Sequence, residues 1–404
     1  MFITSYFPDD CGGAEQQCRR LSEELVRHGH AVTILTTRAG RDVPRMAVEN
    51  GVRVIRLARF EACFRRSRPA AAPAGPSGTA PAAPPAQPAE FRKWAAAILR
   101  TLNLWLFLAG SAGQIWRLRR EIDVWHVHVA TLVSGWCALW AGRWKIPVVC
   151  KGANIPVFFD EPAMPWKRTL AAARRRTTFI ALTPEMKDDL VAHGVPAEKI
   201  AWIPNGIAVP AAGPRPDPGG PGFVLYVANL TQPVANKAFD VLFAAWADVH
   251  ARRPEARLVV AGAGDPGPWR EFLRARNAAA AVDFRGRVAD MDGLYRQAAL
   301  LVLPSRREGI SNALLEAQSH GVPAVVSDIP GNAAVVVHGQ TGLRVPVGDA
   351  AALADGIVRL LDDAALRARL GRAAQERIAA DFALGAVAER VGALYARMVK
   401  EVRE

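Results

Sequence analysis

Two rhythms of apolar and polar positions alternate along the chain. Short apolar runs rich in β-branched residues predict strands at Met1–Phe7, Ala31–Thr36, Val52–Leu57, Val124–His128, Pro147–Lys151, Thr178–Leu182 and Ile200–Ile203. Between the first two, Gly12-Gly13 reads as a tight turn. Ala14–His28 then reads as an amphipathic helix with Leu21, Leu25 and Val26 inward, stopped by Gly29. The pattern resumes with strands expected at Phe223–Ala228, Arg257–Ala261, Val282–Arg285, Leu300–Leu303, Pro323–Ser327 and Gly342–Val345. Helices fill the gaps, and two or three more close the chain from Ala350 to Val402. Strand, helix, strand in this order predicts an α/β protein whose parallel sheets carry helices on both faces. A chain of 404 residues exceeds one ordinary core and suits two such doubly wound, Rossmann-like domains.

Two segments break the rhythm. Arg68–Glu90 is almost entirely Pro, Ala, Gly and small polar residues and is expected to be a mobile insertion. Val209–Gly222 is a Pro/Gly-rich linker and the clearest boundary. The expected division is residues 1–208, a linker at 209–222, a second domain at 223–385, and a C-terminal helix at 386–404 that packs back on the first domain.

Phe91–Arg120 supports two readings. Trp94, Trp105 and Trp116 recur every 11 residues, about three helical turns, so they share one face of a continuous helix. Arg100, Asn103 and Gly110–Gly113 interrupt the apolar run, which is too short and polar to span a bilayer. The segment is either a core-packed helical hairpin or an interfacial helix flanked by Arg92, Lys93, Arg117, Arg119 and Arg120.

Charge bears on the second reading. The formal net charge is +13, and residues 1–208 hold 28 Lys and Arg against 17 Asp and Glu, a net of +11. Nine of the 11 tryptophans lie in the same part. A basic, tryptophan-rich surface suits anionic lipid headgroups or a phosphorylated acceptor. The plainer reading is solvated arginines and core tryptophans. No RNA- or DNA-binding motif accompanies the charge, so no nucleic-acid partner is expected. Five scattered cysteines without a CxxC pair predict reduced thiols and a cytoplasmic location. The opening Met1–Pro8 reads as a strand and loop rather than a leader.

The sharpest chemical signal is Pro304-Ser-Arg-Arg-Glu308-Gly309-Ile310-Ser311-Asn-Ala-Leu-Leu315-Glu316, followed by Gly321-Val-Pro-Ala-Val-Val-Ser-Asp328. A buried strand ends at Pro304, a loop carries Glu308-Gly309, and a helix begins near Ser311. Ligands of open α/β sheets bind beyond the carboxyl ends of strands, and helix amides there hold phosphate without a metal. Eight residues of helix rise about 12 Å, whereas glycosidase carboxyl pairs sit about 5–9.5 Å apart. Glu308 and Glu316 therefore suit two parts of one elongated ligand, although the bare pair alone fits a capping glutamate plus a surface glutamate better. Asp290-Met-Asp292 resembles a metal-binding DxD, but its place ahead of a helix near Leu294 fits capping aspartates. No metal and no cofactor are expected.

The stretch from Glu308 to Glu316 resembles the E-x7-E donor motif of the retaining family-4 glycosyltransferases, which have the GT-B fold. The resemblance covers nearly the whole chain. It includes Gly12-Gly13-Ala14-Glu15, Arg27-His-Gly29-His30, Asp123-Val-Trp-His126-Val-His128, Ile203-Pro204-Asn205-Gly206, Pro330-Gly331 and Gly339-Gln-Thr341-Gly342. It implies two Rossmann-like domains facing across a cleft, the first binding a sugar or lipid-linked acceptor and the second a nucleotide-sugar donor, UDP- or GDP-linked. Glu308 would bind donor-sugar hydroxyls, and the segment Gly309, Ile310 and Ser311 would touch sugar and diphosphate. Glu316, with Leu315 beside it, would hold the ribose. Lys237 would neutralise the departing phosphate, and Arg287-Val288 would border the base. Gly12 and Gly13 would admit the diphosphate, and His128 would face the donor sugar near the acceptor. Strand alternation places His126 and His128 on opposite or flanking faces, so one of the two reaches the cleft.

Two departures stand out. Asn229 occupies the position where the family usually has a diphosphate-binding arginine, and Ala238 replaces the glycine that usually follows the lysine. The expected activity is retaining sugar transfer in bacterial polysaccharide, lipid-linked glycan or glycolipid synthesis, at the inner face of the cytoplasmic membrane. The rivals are an NAD(P)-dependent oxidoreductase, disfavoured because neither Gly12-Gly13 nor Gly262-Ala-Gly264 completes GxGxxG, and a degenerate transferase acting as a membrane-bound partner.

Overall fold

The computed structural model describes residues 12–38, 43–58, 89–128, 132–152, 157, 175–210, 222–230 and 234–404. The expected strand Met1–Phe7 and nearly all of the expected insertion lie outside them.

The first described element is helix α1 (Gly13–Arg27), whose buried Leu21 and Leu25 confirm the inward stripe. Strands β1 (Thr33–Thr37), β2 (Met46–Glu49) and β3 (Val52–Leu57) form a sheet in the order β1-β3-β2. β2 pairs antiparallel with β3 and was not expected. Its burial alternates exposed and half-buried along Met-Ala-Val-Glu, an edge-strand pattern of four residues that is too short to stand out. Helix α2 (Ala89–Leu118) precedes β4 (Trp125–His128), α3 (Leu132–Trp144), β5 (Val148–Lys151), β6 (Thr178–Ala181), α4 (Pro184–Ala192) and β7 (Ile200–Trp202). The last four strands run parallel in chain order.

α2 is a single helix, which corrects the hairpin reading of Phe91–Arg120. Gly110 and Gly113 did not break it. Gly110 lets the helix approach Leu57, since a β-carbon there would lie 3.3 Å from that side chain. Phe107, Leu108 and Ile115 are buried, whereas Trp105 and Trp116 are 43% and 57% exposed.

Six parallel strands follow: β8 (Phe223–Val227), β9 (Leu258–Ala261), β10 (Val282–Gly286), β11 (Ala298–Leu303), β12 (Ala324–Ser327) and β13 (Gly342–Val345), in the order β10-β9-β8-β11-β12-β13. They are connected through α5 (Val234–Lys237), α6 (Phe239–Arg252), α7 (Gly267–Arg274), α8 (Met291–Gln297), α9 (Asn312–Ser319) and α10 (Pro330–Ala333), and α11 (Ala350–Asp362) and α12 (Ala364–Asp381) follow. The central β11 is buried at every position, as a strand covered on both faces must be.

The last helix, α13 (Leu384–Arg403), lies against α1 and the β4–β7 sheet. Val387, Val391 and Leu394 pack with Leu21, Leu25, Val149 and Ile180 in one cluster. Ile207 fixes the crossing by exchanging backbone hydrogen bonds with Phe382 and Leu384, each 2.9 Å.

Candidate active site

The C-terminal wall is built from loops at the carboxyl ends of β8 and β11. Beyond β11, Ser305 is fully buried and its hydroxyl donates to Glu308 Oε2 at 2.8 Å. Lys237 Nζ, at the end of α5, donates to Glu308 Oε1 at 2.5 Å. The lysine's own loop is held from two sides. Tyr226 donates its hydroxyl to the Lys237 carbonyl at 3.1 Å, and the Arg306 amide donates to the Asn236 carbonyl at 2.8 Å. Arg306 also forks onto Asp240 at 2.8 and 2.6 Å. Burial, with the Glu308 charge nearby, pushes the Tyr226 phenol well up, so it remains a donor. Ala238 adopts the left-handed conformation (φ 51°). A glycine, the residue the resemblance leads one to expect there, takes that conformation without strain.

Glu308 lies on the loop and Glu316 in α9, so the helical rise does not set their separation, contrary to the sequence argument. Each carboxylate instead has its own cage. Arg20 Nη2 donates to Glu316 Oε1 at 2.7 Å, and the Tyr295 hydroxyl donates to Oε2 at 2.8 Å. Leu315 corrects another expectation: its side chain is fully buried in the core and offers the cleft nothing. Gly331 supports the Glu308-Gly309 loop by closeness alone, since a β-carbon there would sit 1.8 Å from the Gly309 carbonyl oxygen.

The N-terminal wall meets this loop directly. Asn312 Nδ2 donates to the Gly13 carbonyl at 2.9 Å, and Gln17 Nε2 donates to both Asn312 Oδ1 (2.8 Å) and the Gly206 carbonyl (3.0 Å). Asn205 Nδ2 donates to the Ile310 carbonyl at 3.2 Å. Gly12 and Gly13 are exposed at the amino end of α1, where unpaired amides favour an anion. Ser311 stands at the N-cap of α9, with no side-chain capping bond.

Between the walls lies a cavity of about 240 Å³ lined by Gly13, His128, Lys151, Glu308, Gly309 and Ile310, among others. His126 and His128 share one face of β4, correcting the alternation argument: residues two apart on a strand point the same way. Their rings stack at 4.4 Å between centroids. His126 Nδ1 hydrogen-bonds the Tyr395 hydroxyl at 2.5 Å, while His128 Nε2 is buried with no partner among the described residues. Burial first, then neighbouring His126 and Lys151, holds the His128 pKa well below the ordinary value, so the ring is neutral at pH 7.

Other expected residues sit differently. Asn229 Oδ1 accepts from the Ala263 amide at 2.9 Å, so the residue replacing the arginine braces the Gly262-Ala-Gly264 loop. Gly262 (φ 151°) touches the β8 loop, where a β-carbon would lie 1.9 Å from the Ala228 oxygen. This glycine serves chain packing, not a dinucleotide turn. Arg287 is exposed and Val288 half-buried against the core. Asp290 accepts from the Gly293 amide at 2.7 Å, the capping role expected of it. Cys18, Cys137 and Cys150 are buried free thiols, and Cys11 and Cys63 lie outside the described residues.

Residues 12–206 match the family described as Glycosyl transferase 4-like domain, and residues 221–363 match Glycosyl transferases group 1. The D-inositol 3-phosphate glycosyltransferase of Arthrobacter sp. is 30% identical over 299 residues, covering 66% of this chain and 70% of the relative. The chain belongs to the group 1 glycosyltransferases of the family-4 type. A glycogen synthase of Mycobacterium tuberculosis is 31% identical over 229 residues, covering 55% of this chain and about half (54%) of the relative. Two solved structures superpose over almost the whole chain. HepE of Anabaena in complex with UDP has a TM-score of 0.72 at 17% identity, covering 98% of each chain. Sucrose-phosphate synthase of Thermosynechococcus elongatus has 0.74 at 22% identity, covering 99% of this chain and 98% of the other. Both are GT-B proteins, and the fold here is GT-B. Membership in the group 1 glycosyltransferases sets aside the dehydrogenase rival.

Sequence reasoning missed several residues that build this candidate site. Tyr226, Tyr295 and Ser305 look like core positions until their hydroxyls are seen to bind Lys237, Glu316 and Glu308. Arg20 is one of two adjacent arginines on a polar helix face. Lys151 did leave a signal, a lysine ending the apolar run Val148-Val-Cys.

Proposed function

We propose that the protein transfers a sugar from a nucleoside-diphosphate donor, UDP- or GDP-linked, to an acceptor hydroxyl with retention at the anomeric carbon and without a metal. The observation that carries this reading is the Lys237–Glu308 pair at 2.5 Å beside the amino end of α9, with Glu316 held separately by Arg20 and Tyr295. Lys237 and the amides at Gly309–Ser311 supply preorganised positive potential where the diphosphate charge accumulates. Glu308 orients the donor sugar, Glu316 the ribose. Gly12 and Gly13 close on the diphosphate from the other wall, and Arg287-Val288 border the base. Closure of the two walls on the donor would exclude water before transfer.

Among the described residues lining the cavity, Glu308 is the one carboxylate, and Lys237 and Ser305 already hold it. That favours front-face attack, in which the acceptor oxygen bonds to the anomeric carbon as the bond to the phosphate oxygen breaks. The leaving phosphate takes the acceptor proton. His128, neutral and with a free Nε2, faces the reacting sugar.

A carbohydrate or lipid-linked acceptor and a bacterial polysaccharide or glycolipid pathway agree with the relatives, which include the CapM capsular polysaccharide glycosyltransferase of Staphylococcus aureus. Contact with an anionic membrane at the cytoplasmic face rests on α2, where the Arg119 guanidinium covers the exposed Trp116 ring at 4.5 Å. Among the described residues no helix is long and apolar enough to cross a membrane.

The test is transfer from UDP- and GDP-sugars in the presence of EDTA, with the product's anomeric signals read by proton NMR. A retained configuration is expected. An inverted product contradicts the mechanism, and dependence on added metal contradicts the metal-free donor site. Nucleotide binding without transfer from any donor favours the degenerate partner.

A further inference from the structure

Lys151 ends β5 inside the first domain and is 6% exposed. Its register partner on β4 is His128, 5% exposed. Both line the cavity opposite Glu308, Gly309 and Ile310. Neither has what a buried polar group needs. Among the described residues His128 Nε2 is without a hydrogen-bond partner, and no carboxylate pairs with Lys151. The titratable group that acts on its charge is Cys18 on α1, a thiol whose own pKa burial pushes up to about 12, so it is neutral at pH 7 and supplies no counter-ion. Burial drives the lysine pKa down from 10.5 to about 8, so the ammonium form is held at neutral pH at a cost to the protein. An unpaired buried cation beside an unpaired imidazole, both opening on one cavity, is a site lacking its anion. The donor's phosphates have other partners on this reading: Lys237, the α9 amides and the glycines at α1.

We propose that Lys151 and His128 form an anion-reading subsite, and that the acceptor carries a carboxylate or phosphate close to the hydroxyl that receives the sugar. This rests on the transferase reading above and deepens it by naming the acceptor's chemical class. The ammonium meets the anionic oxygens, and His128 hydrogen-bonds the same group or the hydroxyl beside it. Lys151 is thereby a specificity-determining residue, and a neutral acceptor leaves its charge uncompensated.

The experiment uses the full chain as wild type, Lys151→Met and Lys151→Arg. Each is titrated with inorganic phosphate, glucuronate and glucose, with and without saturating UDP, and binding is read by calorimetry and thermal midpoint. Wild type is expected to bind phosphate or glucuronate at least about tenfold more tightly than glucose. Which of the two it prefers separates a phosphorylated acceptor from a uronic one. Lys151→Met should lose that preference while Lys151→Arg keeps most of it, and both should keep the UDP-induced shift. Equal binding of glucose and both anions by wild type overturns the proposal. So does loss of the UDP shift in Lys151→Met, which would place the amine on the donor diphosphate. Failure of UDP and GDP to bind in any form is a separate result: it removes the donor reading, while the nucleotide-free titrations still judge the anion subsite.

Discussion

Arg20 on α1 donates to Glu316 on α9 at 2.7 Å, joining the two walls of the cleft through the carboxylate assigned to the donor ribose. Tyr295 holds the other oxygen, and burial followed by the Glu316 charge keeps its phenol protonated. Glu316 is thus aimed by one group from each domain. Arg20→Ala should weaken UDP or GDP binding about tenfold, roughly 1.4 kcal/mol, by releasing that aim. Tyr295→Phe should do so to a similar extent. Titration calorimetry checks both, and unchanged affinity in both variants would show that the carboxylate needs neither partner.

Lys237 should matter to the chemical step more than to nucleotide affinity. It sits 2.5 Å from Glu308 and is aimed by the α5 loop that Tyr226 and Arg306 brace. Asn229 provides no guanidinium and is occupied with the Ala263 amide. Lys237→Ala is therefore expected to lower kcat about 10²–10³-fold, the range for removing one preorganised charge-stabilising group. A loss confined to KM would instead mean that the lysine only binds the ground state.

Gly331 is a packing prediction with a catalytic readout. Gly331→Ala places a methyl 1.8 Å from the Gly309 carbonyl, so the loop carrying Glu308 must move. A stability loss of about 1–3 kcal/mol is expected from overpacking, with reduced turnover from the displaced carboxylate. Denaturant unfolding and steady-state kinetics measure the two effects, and a variant unchanged in both would show the loop to be pliable.

The Lys151 ammonium gives a signed pH dependence. Its native pKa lies near 8 against an ordinary 10.5, with Cys18, His126 and His128 as its titratable neighbours. Between those values the unfolded chain holds a proton that the native chain has released. Native stability relative to Lys151→Met should therefore rise as pH increases from about 8 to 10.5. Below pH 8 both states are protonated and the difference is flat, with Lys151→Met the more stable by about 1 kcal/mol or more in the absence of ligand. A difference independent of pH across that window would show that the amine is solvated.

Much of the fold was legible because buried parallel strands are short, apolar and β-branched, and such runs name themselves. Val52–Leu57 and Gly342–Val345 match at both ends. β2 was hidden because an edge strand with half-buried alternation looks like loop. The site divided in the same way. Glu308, Glu316 and Lys237 lie in motifs with fixed spacing, but the groups that aim them do not. Arg20 is 296 residues from Glu316, and Asn205 is 105 from Ile310, separations over which local pattern carries no information. The histidine error was geometric: the period of a strand is two, so His126 and His128 had to share a face. Leu315 failed for the converse reason, since a residue next to a ligand-binding one on a helix points elsewhere.

The donor site is tested most directly by the thermal midpoint of wild type and Glu316→Ala with UDP, GDP, ADP and NAD in EDTA. A ligand that binds only the folded state raises the midpoint according to its affinity. A shift with UDP or GDP in wild type that Glu316→Ala loses is expected, and none with NAD. A shift with NAD alone, or a UDP or GDP shift that survives the loss of Glu316, would contradict the donor site described for this protein.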